Sequence, residues 1–236
     1  MLFDIHTHAL PHIDDGAKNS EETAQILKKQ RAMGVDAMIL TPHFYPSEES
    51  NIDAFYARAA DKLLKLKEQL GDKKPELFLG SEVFMFRGMG NIEELKRLTL
   101  GGSRFILLEL PYDRIQPWCV DAIVALNLNF GLTPVLAHLE RFRKVDGFHE
   151  ILSLISEGYA LGQANAAPLL SFRGRRPVLD LIKRGYISFI GSDVHSGDSP
   201  HDIKSALEVV SKKLGPSYSK KIESNFKELY LEIKGN

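Results

Sequence analysis

His6 and His8 stand one residue apart in Asp4-Ile5-His6-Thr7-His8, behind the short apolar run Leu2, Phe3 and Ile5. On an extended chain, side chains two apart point the same way. The pair therefore faces one ion from a single strand end. Imidazole is the commonest neutral metal ligand, and Asp14 or Asp15 in the following Asp14-Asp15-Gly16 offers a hard carboxylate to join it. H-x-H alone fits two idle loop histidines as well as a metal site, so the rest of the chain must supply partners. It does: His43, Glu82, Glu109, His138 and Asp193 each close a stretch with strand character, and Asp193-Val194-His195 repeats the one-residue spacing.

These candidate ligands are histidines and carboxylates only. That mixture suits Mn, Fe, Zn or Mg and is not a thiolate structural site. Their number exceeds the need of one ion, which implies a cluster with a bridging carboxylate. Clustered divalent ions turn water into hydroxide near neutral pH and clamp phosphoryl oxygens. Arg141, three residues after His138, has the planar fork that grips a phosphate oxygen pair, or it forms a surface ion pair with Glu140. A cysteine phosphatase needs a low-pKa thiolate closed over by an arginine. Cys119 instead begins Cys119-Val120-Asp121-Ala122-Ile123-Val124-Ala125, an apolar helical stretch with alanine where that arginine would stand, and reads as a packed small residue.

The elements that position these residues alternate. Asn19 or Ser20 caps a helix with Glu21 and Glu22 in its first turn and Gly34 at its end. Ala37 to Leu40 reads as a strand closed by Thr41-Pro42-His43, because Pro42 lacks a donor and disfavours a continuing helix. Ile52, Phe55, Ala59, Leu63, Leu66 and Leu70 form the apolar stripe of a long helix stopped by Gly71. Further strands are expected at 77–79, 105–108, 134–137, 159–163 and 187–190. Helices are expected at 92–98, 117–128, 151–157, 177–184, 201–214 and 219–233. Phe105-Ile106-Leu107-Leu108 is a continuous apolar run, as befits a strand buried on both faces. About seven strands alternating with helices predict a parallel sheet with helices outside, and the C-terminal strand ends of a parallel α/β barrel converge on one face.

Composition excludes several classes. With 236 residues, 44% of them hydrophobic, the chain has enough material for one core, and one domain over 1–236 is expected. A net charge of -1 gives no basic excess to attract nucleic acid, and no apolar run spans a bilayer. The chain enters the His6 motif with no basic or apolar segment ahead, which predicts no secretory signal. One cysteine excludes a disulfide framework and points to a cytoplasmic protein.

The segments D-I-H-T-H-A-L-P-H-I-D-D-G-A, T-P-H, G-S-E-V, L-L-E-L, P-V-L-A-H-L-E-R and G-S-D-V-H together resemble the PHP (polymerase and histidinol phosphatase) superfamily. Within it, the chain looks most like the bacterial manganese-dependent protein-tyrosine phosphatases of capsule and exopolysaccharide operons. D-x-H-x-H is shared with amidohydrolases and metal-dependent DNases, whereas H-x-L-P-x-x-D-D-G-A with A-H-x-E-R is far more specific. The resemblance implies a distorted TIM-like (β/α)7 barrel and a cluster of three divalent ions, manganese first among the candidates. One ion would take His6, His8, Glu82 and Asp193. A second would take Glu82, Glu109 and His138, and a third Asp15, His43 and His195. Glu82 would bridge, and Arg141 would hold the substrate phosphate, so that Arg141 and Glu109 are the catalytic candidates. Two departures bear on substrate preference. No arginine follows Asp193-Val194-His195 in Ser196 to His201, and Ala166-Ala167 stand where relatives carry Ser or Thr beside Asn165. Arg173 or Arg175 is the candidate replacement for the missing charge.

The implied activity is hydrolysis of phosphotyrosine on a protein, by resemblance a bacterial tyrosine autokinase, with a metal-bridging hydroxide attacking phosphorus. An oligomer is compatible with this reading. A small-molecule phosphatase such as a histidinol phosphatase keeps the chemistry and changes the substrate. An amidohydrolase changes the reaction, but Glu109 stands where that fold usually has a lysine. A non-catalytic scaffold would not need the complete ligand set.

Overall fold

The computed structural model describes residues 1–70, 75–197 and 202–235. Gly71, expected to stop the second helix, and residues 198–201 lie outside the described residues. Nine strands are described: β1 (Phe3–Thr7), β2 (Ala37–Leu40), β3 (His43–Phe44), β4 (Glu76–Leu79), β5 (Glu82–Phe84), β6 (Phe105–Glu109), β7 (Thr133–Leu136), β8 (Leu161–Asn165) and β9 (Phe189–Gly191). Every described pairing is parallel, in the orders β1-β2-β4 and β3-β5-β6-β7-β8-β9. The sheet curls until its two ends meet. Thr7 bridges Val194, the His8 amide donates to Val194 O at 2.9 Å, and the Asp193 amide donates to His6 O at 2.9 Å.

Two chain breaks shape this curl. Thr41 and Pro42 separate β2 from β3, and Gly80 and Ser81 separate β4 from β5. Pro42 has no amide to donate, so the ladder lapses there. Its carbonyl still accepts from the Glu82 amide at 3.1 Å, and pairing resumes one step further on. His43 and Glu82, expected just past strand ends, are therefore the first residues of β3 and β5, with His43 paired to Glu82 in register.

The helices are α1 (Ser20–Ala32), α2 (Ile52–Leu70), α3 (Pro117–Phe130), α4 (Phe148–Ser156), α5 (Ala166–Leu170), α6 (Arg175–Lys183), α7 (Ile203–Leu214) and α8 (Pro216–Gly235). Asn19 caps α1 by accepting from the Glu22 amide at 2.9 Å. In α2 the stripe Ile52, Phe55, Ala59, Leu63 and Leu66 is buried, as its spacing demands. Residues 93–98 form a tighter 3-10 turn in place of the expected helix, and α5 occupies a stretch expected to be loop. All five residues of β6 are buried, with helices covering the sheet. Among the described residues, no helix is long and apolar enough to cross a membrane.

Glycine makes one close approach that matters to the candidate ligands. A Cβ on Gly16 would stand 2.0 Å from His8 O and 2.6 Å from His8 Cβ, so the Asp14-Asp15 loop lies against the end of β1 only because residue 16 has no side chain. Gly16→Ala is expected to cost about 1–3 kcal/mol by overpacking. A urea midpoint that stays at the parent value would show that the loop yields freely.

Candidate metal centre

The strand ends carry their polar residues into one buried cluster. His6 on β1 and His8 just beyond it are both fully buried, and alternation along the strand puts them on one side. Their Nε2 atoms are 3.2 Å apart. Glu82 Oε2 lies 3.0 Å from His6 Nε2 and 3.1 Å from His8 Nε2, and Asp193 Oδ1 lies 3.5 Å from each. Two imidazole nitrogens and two carboxylate oxygens thus point at one place.

A second grouping surrounds the other face of Glu82. His138 Nε2 is 2.9 Å from Glu82 Oε1 and 3.4 Å from Glu109 Oε1. His43 Nδ1 joins them, 3.3 Å from Glu82 Oε2 and 3.9 Å from Glu109 Oε2. A third grouping sits nearer solvent. His43 Nε2 and His195 Nε2 lie 3.8 Å and 3.5 Å from Asp15 Oδ1, and the His195 ring stacks on His8 with centroids 4.0 Å apart. All nine sequence candidates, His6, His8, Asp15, His43, Glu82, Glu109, His138, Asp193 and His195, are thereby brought together. His43 reaches two of the groupings rather than one.

Other residues aim these donors. Asp14 Oδ2 sits 2.7 Å from His8 Nδ1 and accepts from the His43 amide at 2.9 Å, so Asp14 orients a histidine while Asp15 faces the cluster. Gln163 on β8 places its Oε1 3.2 Å from His6 Nδ1 and accepts from the His138 amide at 2.6 Å. An acceptor on Nδ1 puts the ring proton there and leaves the Nε2 lone pair facing inward. Gln163 Nε2 donates to Asn165 Oδ1 at 2.9 Å, and Asn165 Nδ2 donates to Asp193 Oδ2 at 2.6 Å. Asp4 Oδ1 accepts from the Ser192 amide at 3.0 Å and so clasps β1 to the chain leaving β9. His138 and Asp193 both have positive φ, 35° and 54°, a costly conformation outside glycine that gathers at functional sites.

The electrostatics follow from packing so many ionisable groups without solvent. Burial alone would lower His8, but Asp14 and Glu82 outweigh it and push the imidazole up to about 10. Burial likewise opposes His138, and Glu109 and Glu82 raise it to about 9. Burial would raise Asp193, yet His6 and His8 hold it down at about 2, and Glu82 is held well below the carboxylate range by His6, His138 and His8 despite its burial. His43 is lowered, chiefly by burial, and its buried Nδ1 makes no hydrogen bond although Glu82 is close. A nitrogen and an oxygen that approach without a shared proton suit a shared cation. The donor set therefore fits divalent ions of the Mn, Fe, Zn or Mg kind, held by imidazole and carboxylate.

Arg141 lies at the rim. Its Nη2 donates to Asp193 Oδ2 at 2.6 Å, so the alternative of a surface pair with Glu140 is not what the structure holds. Glu140 turns inward and accepts from the Asn165 amide at 3.3 Å, and burial raises its carboxyl. A cavity of about 550 Å³ opens here, lined by Arg141, Arg143, Asn165, Asp193 and His195 among others. Neither Arg173 nor Arg175 lines it. Arg175 Nε donates to Ser171 O at 3.0 Å, and Arg143 is the second cation at the cleft. Cys119 is fully buried in α3, and burial raises its thiol, the reverse of an activated nucleophile.

Two tyrosines and a glutamine escaped the sequence reading. The Tyr112 hydroxyl donates to Glu109 Oε1, and its ring, half exposed, stacks near His138 at 6.2 Å and Phe142 at 5.3 Å. The Tyr45 hydroxyl donates to Glu109 Oε2 at 3.4 Å, and its ring stacks on His43 at 4.8 Å. The available signal was position: Tyr45 two residues after His43, Tyr112 three after Glu109, and Gln163 between Gly162 and Ala164 in a strand.

Comparison with known proteins agrees with this geometry. A family model described as capsular polysaccharide synthesis, CpsB/CapC, matches residues 2–231. The tyrosine-protein phosphatase YwqE of Bacillus subtilis is 30% identical over 224 residues, covering 91% of this chain and 85% of that one. A solved structure described with YwqE from B. subtilis and CpsB from Streptococcus pneumoniae, "unique metal-dependent tyrosine phosphatases", superposes with a TM-score of 0.83 at 26% identity, covering 99% of this chain and 94% of the other. The histidinol phosphate phosphatase of Lactococcus lactis shares the fold at a TM-score of 0.58 and 15% identity, covering 90% and 94%. With its curled parallel sheet and its donor cluster at the strand ends, this chain belongs to the CpsB/CapC family.

Proposed function

We propose that the chain is a metal-dependent protein-tyrosine phosphatase acting on a phosphotyrosine protein, by family a bacterial tyrosine autokinase of capsular or exopolysaccharide synthesis. The observation that carries this reading is the ring of His6, His8, His43 and His138 around Glu82, beside an arginine-lined cleft. The nine clustered side chains would hold divalent ions, three by the family reading and manganese first, with Glu82 shared among them. We read residues 1–236 as one seven-fold PHP-type barrel domain working in the cytoplasm; counting β2 with β3 and β4 with β5 as single interrupted strands supports the seven-fold part of that reading. The likeness to histidinol phosphate phosphatase extends to the fold alone, and no feature of the cleft favours a small substrate.

When bound, the divalent ions would supply Lewis acidity and an attacking hydroxide near neutral pH. The chain's own residues do the rest. Arg141 is held by Asp193 through Nη2 and by the Tyr112 hydroxyl, which aims its planar fork at the phosphoryl oxygens, whose negative charge spreads in the transition state. Tyr45 and Tyr112 hold Glu109 from both oxygens, which fixes that carboxylate beside His138 and His43. Gln163 and Asp14 keep the His6 and His8 rings turned inward. The departing tyrosinate, with a pKa of about 10, needs less protonation than an alkoxide. A panel of phosphotyrosine peptide, phosphoserine peptide, histidinol phosphate and a cyclic amide, with and without manganese, tests this reading. It should show manganese-dependent release of phosphate from the first; selective turnover of histidinol phosphate would overturn it.

Three results follow from the cluster. Glu82→Ala should lose metal and activity while keeping the far-UV circular dichroism of the fold, since this carboxylate touches His6, His8, His43 and His138. Near-parent turnover in that variant would misplace the centre. Arg141→Ala should keep its metal and lose roughly a hundredfold in kcat/KM, a few kcal/mol, and Arg141→Lys should recover part of this. Turnover of phosphotyrosine peptide by the three proteins at saturating manganese is the comparison. Because neighbouring carboxylates hold protons on His8 and His138 up to about 10 and about 9, metal must displace them. Manganese affinity should therefore rise between about pH 6 and about pH 9 with proton release visible by calorimetry in buffers of different ionisation heat. A flat affinity across that range would remove these histidines from the ligand set.

A further inference from the structure

Arg143 lines three cavities; one holds the acids Asp146, Glu150 and Glu157, and the other two border α6. On one side it lines the cleft with Arg141, Asp193 and His195. On the other it lines a second cavity, also about 550 Å³, together with Arg173, Arg176 and Lys183. Pro177, at the start of α6, is likewise shared, so the two spaces adjoin across one side chain and one ring. Arg143, Arg173, Arg176 and Lys183 are all exposed. Among the described residues none of the four has a carboxylate within 4.0 Å. The one acid lining this second cavity, Asp180, lies 4.0 Å from Arg184.

This concentration runs against the whole chain, whose net charge is -1. Four cations gathered in a concave strip without close ion pairs repel one another and raise the local concentration of anions. Beside them, Phe172 is 88% exposed, a large apolar ring left in solvent on the loop that carries Arg173. Neither feature serves the cluster of histidines and carboxylates, which Arg173, Arg176 and Lys183 do not line.

We propose that this strip seats an acidic segment of the phosphoprotein substrate, lying next in the chain to the phosphotyrosine held at Arg141. The proposal rests on the phosphatase reading above and adds the substrate's flanking chemistry. An extended peptide advances about 3.3 Å per residue, so a segment of a few residues leaving the cleft past Arg143 enters the cavity that Arg173, Arg176 and Lys183 line. Exposed charge pairs steer and orient more than they bind, so the benefit falls on KM and on encounter, and salt weakens it. Phosphate recognition stays with Arg141, and the strip discriminates among phosphotyrosine proteins by what surrounds the modified residue.

Two phosphotyrosine peptides of equal length, one flanked by Asp and Glu and the other by Asn and Ser, test this at saturating manganese. The acidic peptide should be preferred roughly tenfold in kcat/KM, chiefly through KM. The preference should shrink to within about twofold in the triple variant Arg173→Gln, Arg176→Gln, Lys183→Gln, and for the parent protein in about 0.5 M salt. Equal kcat/KM for the two peptides in the parent, or an undiminished preference in the triple variant, would overturn it. If neither peptide is hydrolysed, the phosphatase reading fails instead. The strip is then read by fluorescence anisotropy of the same two peptides: tighter, salt-sensitive binding of the acidic one supports it, and equal binding overturns it.

Discussion

Glu82 lies buried with four imidazoles around its carboxylate, from His6, His8, His43 and His138, at 2.9 to 3.3 Å. A buried carboxylate is costly unless opposite charge and hydrogen bonds meet it closely. Here they come from separate strands, since His6 lies on β1, His8 just past it, His43 on β3 and His138 after β7. The position of each strand end is therefore tied to the others through one side chain. The curl of the sheet, the Pro42 and Gly80–Ser81 breaks, and the contact of β1 with the residues after β9 all serve that convergence.

A layer of uncharged or single-purpose residues makes the arrangement rigid. Gln163 spans His6, the His138 amide and Asn165, and Asn165 passes the constraint to Asp193. Asp4 ties the first strand to Ser192, and Asp14 ties His8 to the backbone of His43. The positive φ angles of His138 and Asp193 lie within this layer, where the His138 amide donates to Gln163 and the Asp193 amide to His6 O. Such a layer fixes the donors before any ion arrives, which limits reorganisation on binding.

Outside that layer the surface divides its work. Arg141 stands where the cluster meets solvent and shares Asp193 with Asn165. Tyr112 and Tyr45 hold Glu109 between their hydroxyls. Arg143 carries the positive potential away from the cleft toward α6. Chemistry and recognition thus occupy neighbouring but distinct side chains, so the second can vary while the first is kept.

The donors were legible in the chain because their types and spacing carry local information. H-x-H on an extended strand, D-x-H at the last strand and one histidine or carboxylate per strand end require no knowledge of distance. The apolar stripe of α2 and the run of β6 were legible for the same reason, since burial imposes a period on the sequence. What the chain could not reveal depends on contacts between residues far apart in it. Gln163 serves His6 across 157 positions, Arg141 chooses Asp193 over the adjacent Glu140, and Arg143, not Arg173 or Arg175, becomes the second cation at the cleft. His43 and Glu82 begin strands rather than follow them, because the pairing that resumes after Pro42 involves a partner strand absent from local sequence. Residue type and period are properties of a segment and survive without the fold. Choice of partner depends on which strands become neighbours, and only the closed curl of the sheet decides that.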